Sequence, residues 1–362
     1  MKYTSFYWAR SFSEGLAMVV VDKYCTAGYI DKNGQWVIEP KFYGTIRDYD
    51  SCRLFLDERF FPDAIEAKVD RGDFSQGLAS IGLLEGSRLK SIYINRLGNI
   101  VIKDVYGGSF HDGLAWYSEA GTGKYGYIDM QGRTIIPLCF LGATHFSKGI
   151  ASVWLDKKTP FPAFIDKRGN ILFNNNQYDL LYIWGGFYDD PDLALVKAYN
   201  KRTGNKEMGY IDRQGNFRKP GVNHYFCNSA FSDGLAFASS DDCDGNGFYF
   251  DKNMNIVYKR RLRFYTRFSE GKAAVIDYNT RESGYIDKSG TMIFKFKFDR
   301  AAPFSDGMAA FELNKKIGYI DSTGDIVIPP QFDSARHFSE GFAAICKAGK
   351  WNYIDKSGRI VF

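Results

Sequence analysis

Two short phrases alternate along the chain, and their recurrence limits the possible folds more than any other property. The first, F-S-x-G-x-A, occupies residues 12–17 and returns at Phe74, Phe110, Phe146, Phe231, Phe268, Phe304 and Phe338, with a worn copy from Phe187 to Ala194. The second, G-Y-I-D, occupies residues 28–31 and recurs around Asn95, Asp129, Asp166, Asp212, Asp251, Asp287, Asp321 and Asp355. From Phe74 onward the Phe positions are 36, 36, 41, 44, 37, 36 and 34 residues apart, and only the first interval, 62, departs strongly. Such a series marks a tandem array of one supersecondary unit, whereas an active site is needed once per domain. Residues 1–362 therefore read as a single repeat domain of nine units.

Within a unit the residues after F-S-x-G alternate, as in Ala343 and Ile345 or Ala17 and Val19, and period two means strand. The G-Y-I-D strand follows, then an Asp-x-x-Gly turn, then an apolar run such as Ile326-Val327-Ile328 that closes at Pro329. Asp accepts backbone N–H groups across such a turn and Gly supplies positive φ, so the recurring carboxylates read as turn residues. Asn95 replaces Asp in one copy and can do the same work, while carboxylate catalysis could not survive there. Met254 stands where Gly is expected, which predicts a looser or differently shaped turn. Ser13 and its counterparts lack the G-x-S-x-G setting of a hydrolase nucleophile and read as turn residues, with the Phe as an anchor against the next unit. The expected class is all-β, a tandem array of about nine short antiparallel units.

Apolar residues make up 45% of the chain, charged residues 25% and aromatic residues 17%, so the chain is expected to be globular with Phe and Tyr supplying much of the core. A net charge of +5 does not by itself point to nucleic acid. The six cysteines form no C-x-x-C pair, so neither a zinc site nor a disulfide framework is expected. The N-terminus lacks an apolar signal region and no run of 18 apolar residues exists, which makes a cytoplasmic protein, with no membrane span, the default expectation.

The stretches KYGYIDMQGRTIIP, KIGYIDSTGDIVIPPQFDSARHFSEGFA and KWNYIDKSGRIVF resemble the WG repeat family. The name-giving pair is worn here: Trp351 precedes Asn352, and Tyr125, Ile317, Ser283 and Met208 precede Gly elsewhere. The resemblance implies a bacterial type of β-repeat protein without an assigned chemistry, and it lends no catalytic residues. Units of this length can stack as an open superhelical solenoid or close as a propeller-like ring. The open array is favoured, because a propeller blade usually needs about 40–45 residues and the chain shows no split unit to seal a ring.

Three stretches depart from the repeat. Asp242-Cys243-Asp244-Gly245-Asn246-Gly247 imitates the start of a calcium loop but has Asn253 where a bidentate Glu belongs, so a polar hairpin tip is expected. The segment 258–267 concentrates Lys259, Arg260, Arg261, Arg263 and Arg267, a candidate anionic-partner site whose bland alternative is a strand edge protected by charge. An insertion at about 43–73 adds about 26 residues of partner-binding or cap-like character. His145 and His337 share one repeat position, which points to packing or surface rather than ligation. No unique acid, base or metal cluster emerges. The reading is a non-catalytic protein-binding scaffold without a cofactor, with a bacterial immunity or adaptor protein as one version by analogy. Carbohydrate or cell-envelope binding and an anionic partner at 258–267 are the alternatives, and nucleic acid is not indicated.

Overall fold

A computed structural model of the chain describes residues 5–43, 72–85, 88–119, 121–155, 162–172, 178–184, 192–221, 225–227, 229–240 and 246–362. The unit is an antiparallel meander. In unit 8 its strands are Arg300–Ala301, Met308–Leu313, Lys316–Asp321 and Ile326–Phe332, hydrogen-bonded in that order. The other units repeat this plan. Twice the fourth strand runs on into the next unit, at Trp36–Tyr43 through Tyr43 and Gly82 and at Ile256–Tyr265, giving two seven-stranded sheets.

The two phrases build the two turns at one end of each unit. In Ser-x-Gly-x the Ser and the residue after Gly exchange backbone bonds, as Ser305 and Met308 do, with both central residues at positive φ (Asp306 55°, Gly307 75°). This is the tight two-residue hairpin that matches strand twist. In Asp-x-x-Gly the carboxylate accepts two backbone N–H groups: Asp31 takes those of Asn33 and Gln35, each at 2.9 Å, and Gly34 has φ 72°. Met254 makes the same turn. It adopts φ 68° and donates to Asp251 O at 2.9 Å, so the looser turn expected there is not found. The Gly of G-Y-I-D has a separate cause, close approach of the fourth strand: a Cβ on Gly28 would lie 2.6 Å from the Ile38 carbonyl.

Consecutive units dock through three recurring contacts. The buried Tyr of G-Y-I-D packs its ring against the Phe anchor of the next unit, with centroids 5.0 Å apart for Tyr285 and Phe304 and 4.9 Å for Tyr319 and Phe338. Its hydroxyl donates to the carbonyl two residues before that Phe, as Tyr319 does to Arg336 at 2.7 Å. The Ser hydroxyl donates to the carbonyl of the next anchor, as Ser305 does to Phe338 at 2.8 Å.

All three contacts also join unit 9 to unit 1. Tyr353 lies 5.1 Å from Phe12 and donates to Arg10 O, while Ser339 donates to Phe12 O at 2.8 Å. Phe6 bridges to Trp351 as Phe332 pairs with Ile317, so a residue near the start of the chain completes the fourth strand of the last unit. The array is therefore a closed ring, and the open superhelix favoured from the sequence does not form. The reason is physical: an identical interface repeated between units fixes a constant rotation, and closure lets the two terminal apolar faces bury each other. One cluster accordingly unites Phe6, Trp8 and Phe12 with Trp351 and Tyr353.

Not every interface has all three contacts: His111 replaces the Ser in one unit and Phe164 the Tyr in another. The Tyr29 hydroxyl is fully buried without a hydrogen-bond partner, at the step where residues 44–71 interrupt the approach to Phe74. Tyr29→Phe is therefore expected to be neutral or slightly stabilising, whereas Tyr319→Phe should cost about 1 kcal/mol, because only the second removes a bond. Parallel urea titrations compare the two.

Candidate protein-binding surfaces

The residue between Ser and Gly is acidic in most units because of its neighbour. Asp306 accepts the N–H of Gly341 at 2.5 Å and pairs with Lys356 at 2.9 Å. Asp233 does the same with Gly271 and Lys288, and Glu340 with Gly15 and Lys32 across the ring closure. A non-glycine residue in the left-handed region costs about 1–2 kcal/mol, and this bond to the next unit offsets it. Burial raises the Asp306 carboxyl, but the Lys356 ammonium and the Gly341 N–H outweigh it and hold the group below its ordinary range. Asp321 behaves alike: the Thr323 hydroxyl, ahead of the backbone N–H groups, lowers its pKa. The recurring ionisable residues are thus spent on turns and interfaces. Sequence reasoning missed this use of the acidic position because its partner lies one unit away.

The outer strands carry a different signal. In the run Ile326-Val327-Ile328 the first two side chains are 49% and 37% exposed and the third is buried. The same positions expose Ile100 and Val101, Ile135, Ile171 and Leu172, Ile256 and Val257, Ile293 and Ile360. A rim of branched aliphatic side chains therefore recurs around the ring. Isolated exposed apolar residues need no explanation, but this set recurs at the same two positions of the repeat. Reading these runs as ordinary strands concealed their exposure; a run of three apolar residues, without alternation, was the available clue.

The basic stretch lies on the long strand Ile256–Tyr265, which pairs with Asn246–Asp251 over its first half and Lys272–Asp277 over its second. It is not an unpaired edge. Lys259 and Arg267 are exposed, and the Arg261 guanidinium sits 3.9 Å from the Tyr278 ring centroid. Arg260 and Arg263 belong to the same strand.

Other stretches contribute less. Asp242–Gly245 lie outside the described residues, and Asn246 and Gly247 open a strand. The insertion lies outside them from 44 to 71. A cleft of about 310 Å³ between units 5 and 6 is lined by Asp192, Asp212, Arg213, Arg218 and Lys252. Its charges are engaged, with Arg218 on Asp212 at 3.0 Å, Lys252 on Asp192 at 3.1 Å and Arg213 on the Lys148 carbonyl. Among the described residues no group of three or more His, Cys, Asp or Glu could hold a metal, and no helix is long and apolar enough to cross a membrane. His145 packs against His111 at 4.6 Å between centroids, with Nδ1 3.0 Å from Ser109 O.

Comparison with solved structures supports the fold class. A eukaryotic initiation factor superposes with a TM-score of 0.52 at 12% identity, over 95% of this chain and 89% of that one. BamB from Moraxella catarrhalis gives 0.42 at 11% identity, over 77% and 94% of the two chains. None of the curated protein sequences matches the chain. The sequence profile of the WG containing repeat matches residues 28–51, 125–158, 284–316 and 317–351, so the chain carries repeats of the WG containing repeat family.

Proposed function

We propose that the chain is a non-catalytic protein-binding ring, and one observation carries the reading: the aliphatic rim repeated on the outer strands. The core, the turn carboxylates and the Ser hydroxyls serve the fold, whereas Val101, Ile135, Ile326 and Val327 keep apolar surface in water at no structural gain. Apolar edges of this kind fit the side chains of a second polypeptide. An adaptor or immunity protein of the bacterial cytoplasm is the concrete form that family analogy suggests. The sugar-binding alternative gains no support from the exposed aromatic rings among the described residues: Tyr24, Tyr106, Tyr199 and Tyr278 sit on separate, non-adjacent units rather than in a row.

The test places a photo-crosslinking residue at Val101, Ile135 or Val327, and at Ser289 in an Asp-x-x-Gly turn as control. The rim positions should capture one and the same protein in native-host extract, and Ser289 should not. Equal capture from Ser289, or none from the rim, overturns the reading.

A further inference from the structure

Net charge is distributed unevenly along the ring. Residues 256–316 hold 13 of the 47 Lys and Arg but only 7 of the 42 Asp and Glu, so this stretch is net +6 and the rest of the chain net −1. Its two ends differ further. At the end that carries the Ser-x-Gly and Asp-x-x-Gly turns, cations and carboxylates alternate in bonds such as Lys288 to Asp233. The opposite end, reached by the turn after Lys272–Asp277 and the crossing from Met292–Lys295 to Arg300–Ala301, gathers the surplus.

There Arg281, Lys297, Arg300 and Lys315 are exposed, and no carboxylate lies within ion-pair distance of them among the described residues. Two further lysines on this face do have partners, Lys295 on Glu282 at 2.8 Å and Lys316 on Asp333. Arg261 and Arg281 both lie over the Tyr278 ring, at 3.9 and 5.4 Å from its centroid, and this contact holds two like charges side by side. The exposed Arg281, Lys297, Arg300 and Lys315 give this face a positive potential that attracts an anion-rich surface.

We infer that this face, across units 7 and 8, docks an acidic segment of a partner protein, a proposal that rests on the protein-binding reading above. One feature favours a protein over nucleic acid. The Tyr278 ring is taken up by guanidinium groups, which leaves little of it for base stacking.

A labelled poly-glutamate peptide, a labelled poly-dT oligonucleotide and phosphatidylserine vesicles serve as probes of the intact chain. The triple variant Arg281→Glu, Lys297→Glu, Lys315→Glu should weaken peptide binding at low salt by about tenfold or more. The control Lys23→Glu, Lys103→Glu, Lys206→Glu changes net charge equally on the same end of other units and should leave most of the binding in place. Equal loss in both variants, or no peptide binding by the parent chain, overturns the proposal; so does tighter binding of the oligonucleotide or the vesicles. Rim crosslinking is read separately, so failure here and failure of the protein-binding reading remain distinguishable.

Discussion

Phe12→Ala should destabilise the protein by about 3–5 kcal/mol, as much as Phe304→Ala in the middle of the chain. Phe12 is 2% exposed and packs against Tyr353 and Phe342 from the far end of the sequence. Its carbonyl receives the Ser339 hydroxyl, as the carbonyl of Phe304 receives that of Ser269. An open array would behave otherwise. Its terminal unit would have one neighbour and fray at little cost, so truncating Phe12 would be felt far less than truncating Phe304. Urea titration of the two variants, followed by Trp fluorescence, therefore decides closure: equal losses fit the ring, and a loss below 1 kcal/mol for Phe12→Ala alone rejects it.

The second large effect concerns acid. Burial, then repulsion from His111, lowers the His145 pKa to about 4 from an ordinary 6.5, against a smaller opposing effect of the Ser109 carbonyl. A histidine depressed in the folded state contributes stability that is fully present above 6.5. That contribution is lost as pH falls toward 4, because the unfolded chain takes up the proton first. A shift of this size is worth about 3 kcal/mol. Asp321 and Asp306 also lose stability in acid, but they begin from an ordinary 3.8 and act at lower pH. Titrations between pH 7.5 and 4.5 should show the decline, and His145→Asn should flatten it. His111→Ser should flatten it in part, since it removes the repulsion and restores the hydroxyl found at this position in other units. An unchanged slope in both variants would remove His145 as the cause.

The sequence revealed what is local. Period-two runs, Asp-x-x-Gly spacing and eight of the Phe anchors reported strands, turns and packing, because each depends on a few adjacent residues, while the ninth, Phe187, lies outside the described residues. Closure was hidden, since it depends on a small rotation between units summed around the whole array, and no single residue encodes that. Phe6 opposite Trp351 shows how a split strand escapes notice when its halves lie at opposite ends of the text. Met254 misled for a different reason: two backbone bonds hold the turn firmly enough to force a side chain into a conformation usually left to Gly. The candidate surfaces were half visible. The basic run stood out by composition, but Arg281, Lys297 and Lys315, scattered in sequence, join the same face only through the meander.

Closure has an evolutionary corollary. Genes for tandem modules gain and lose copies readily by unequal recombination, and an open stack would absorb such an event at its tip. Here the seam between Tyr353 and Phe12 must meet as well as every other joint. Adding or deleting one module would alter the angle demanded of all the remaining joints together, so copy number is locked while individual modules stay free to diverge.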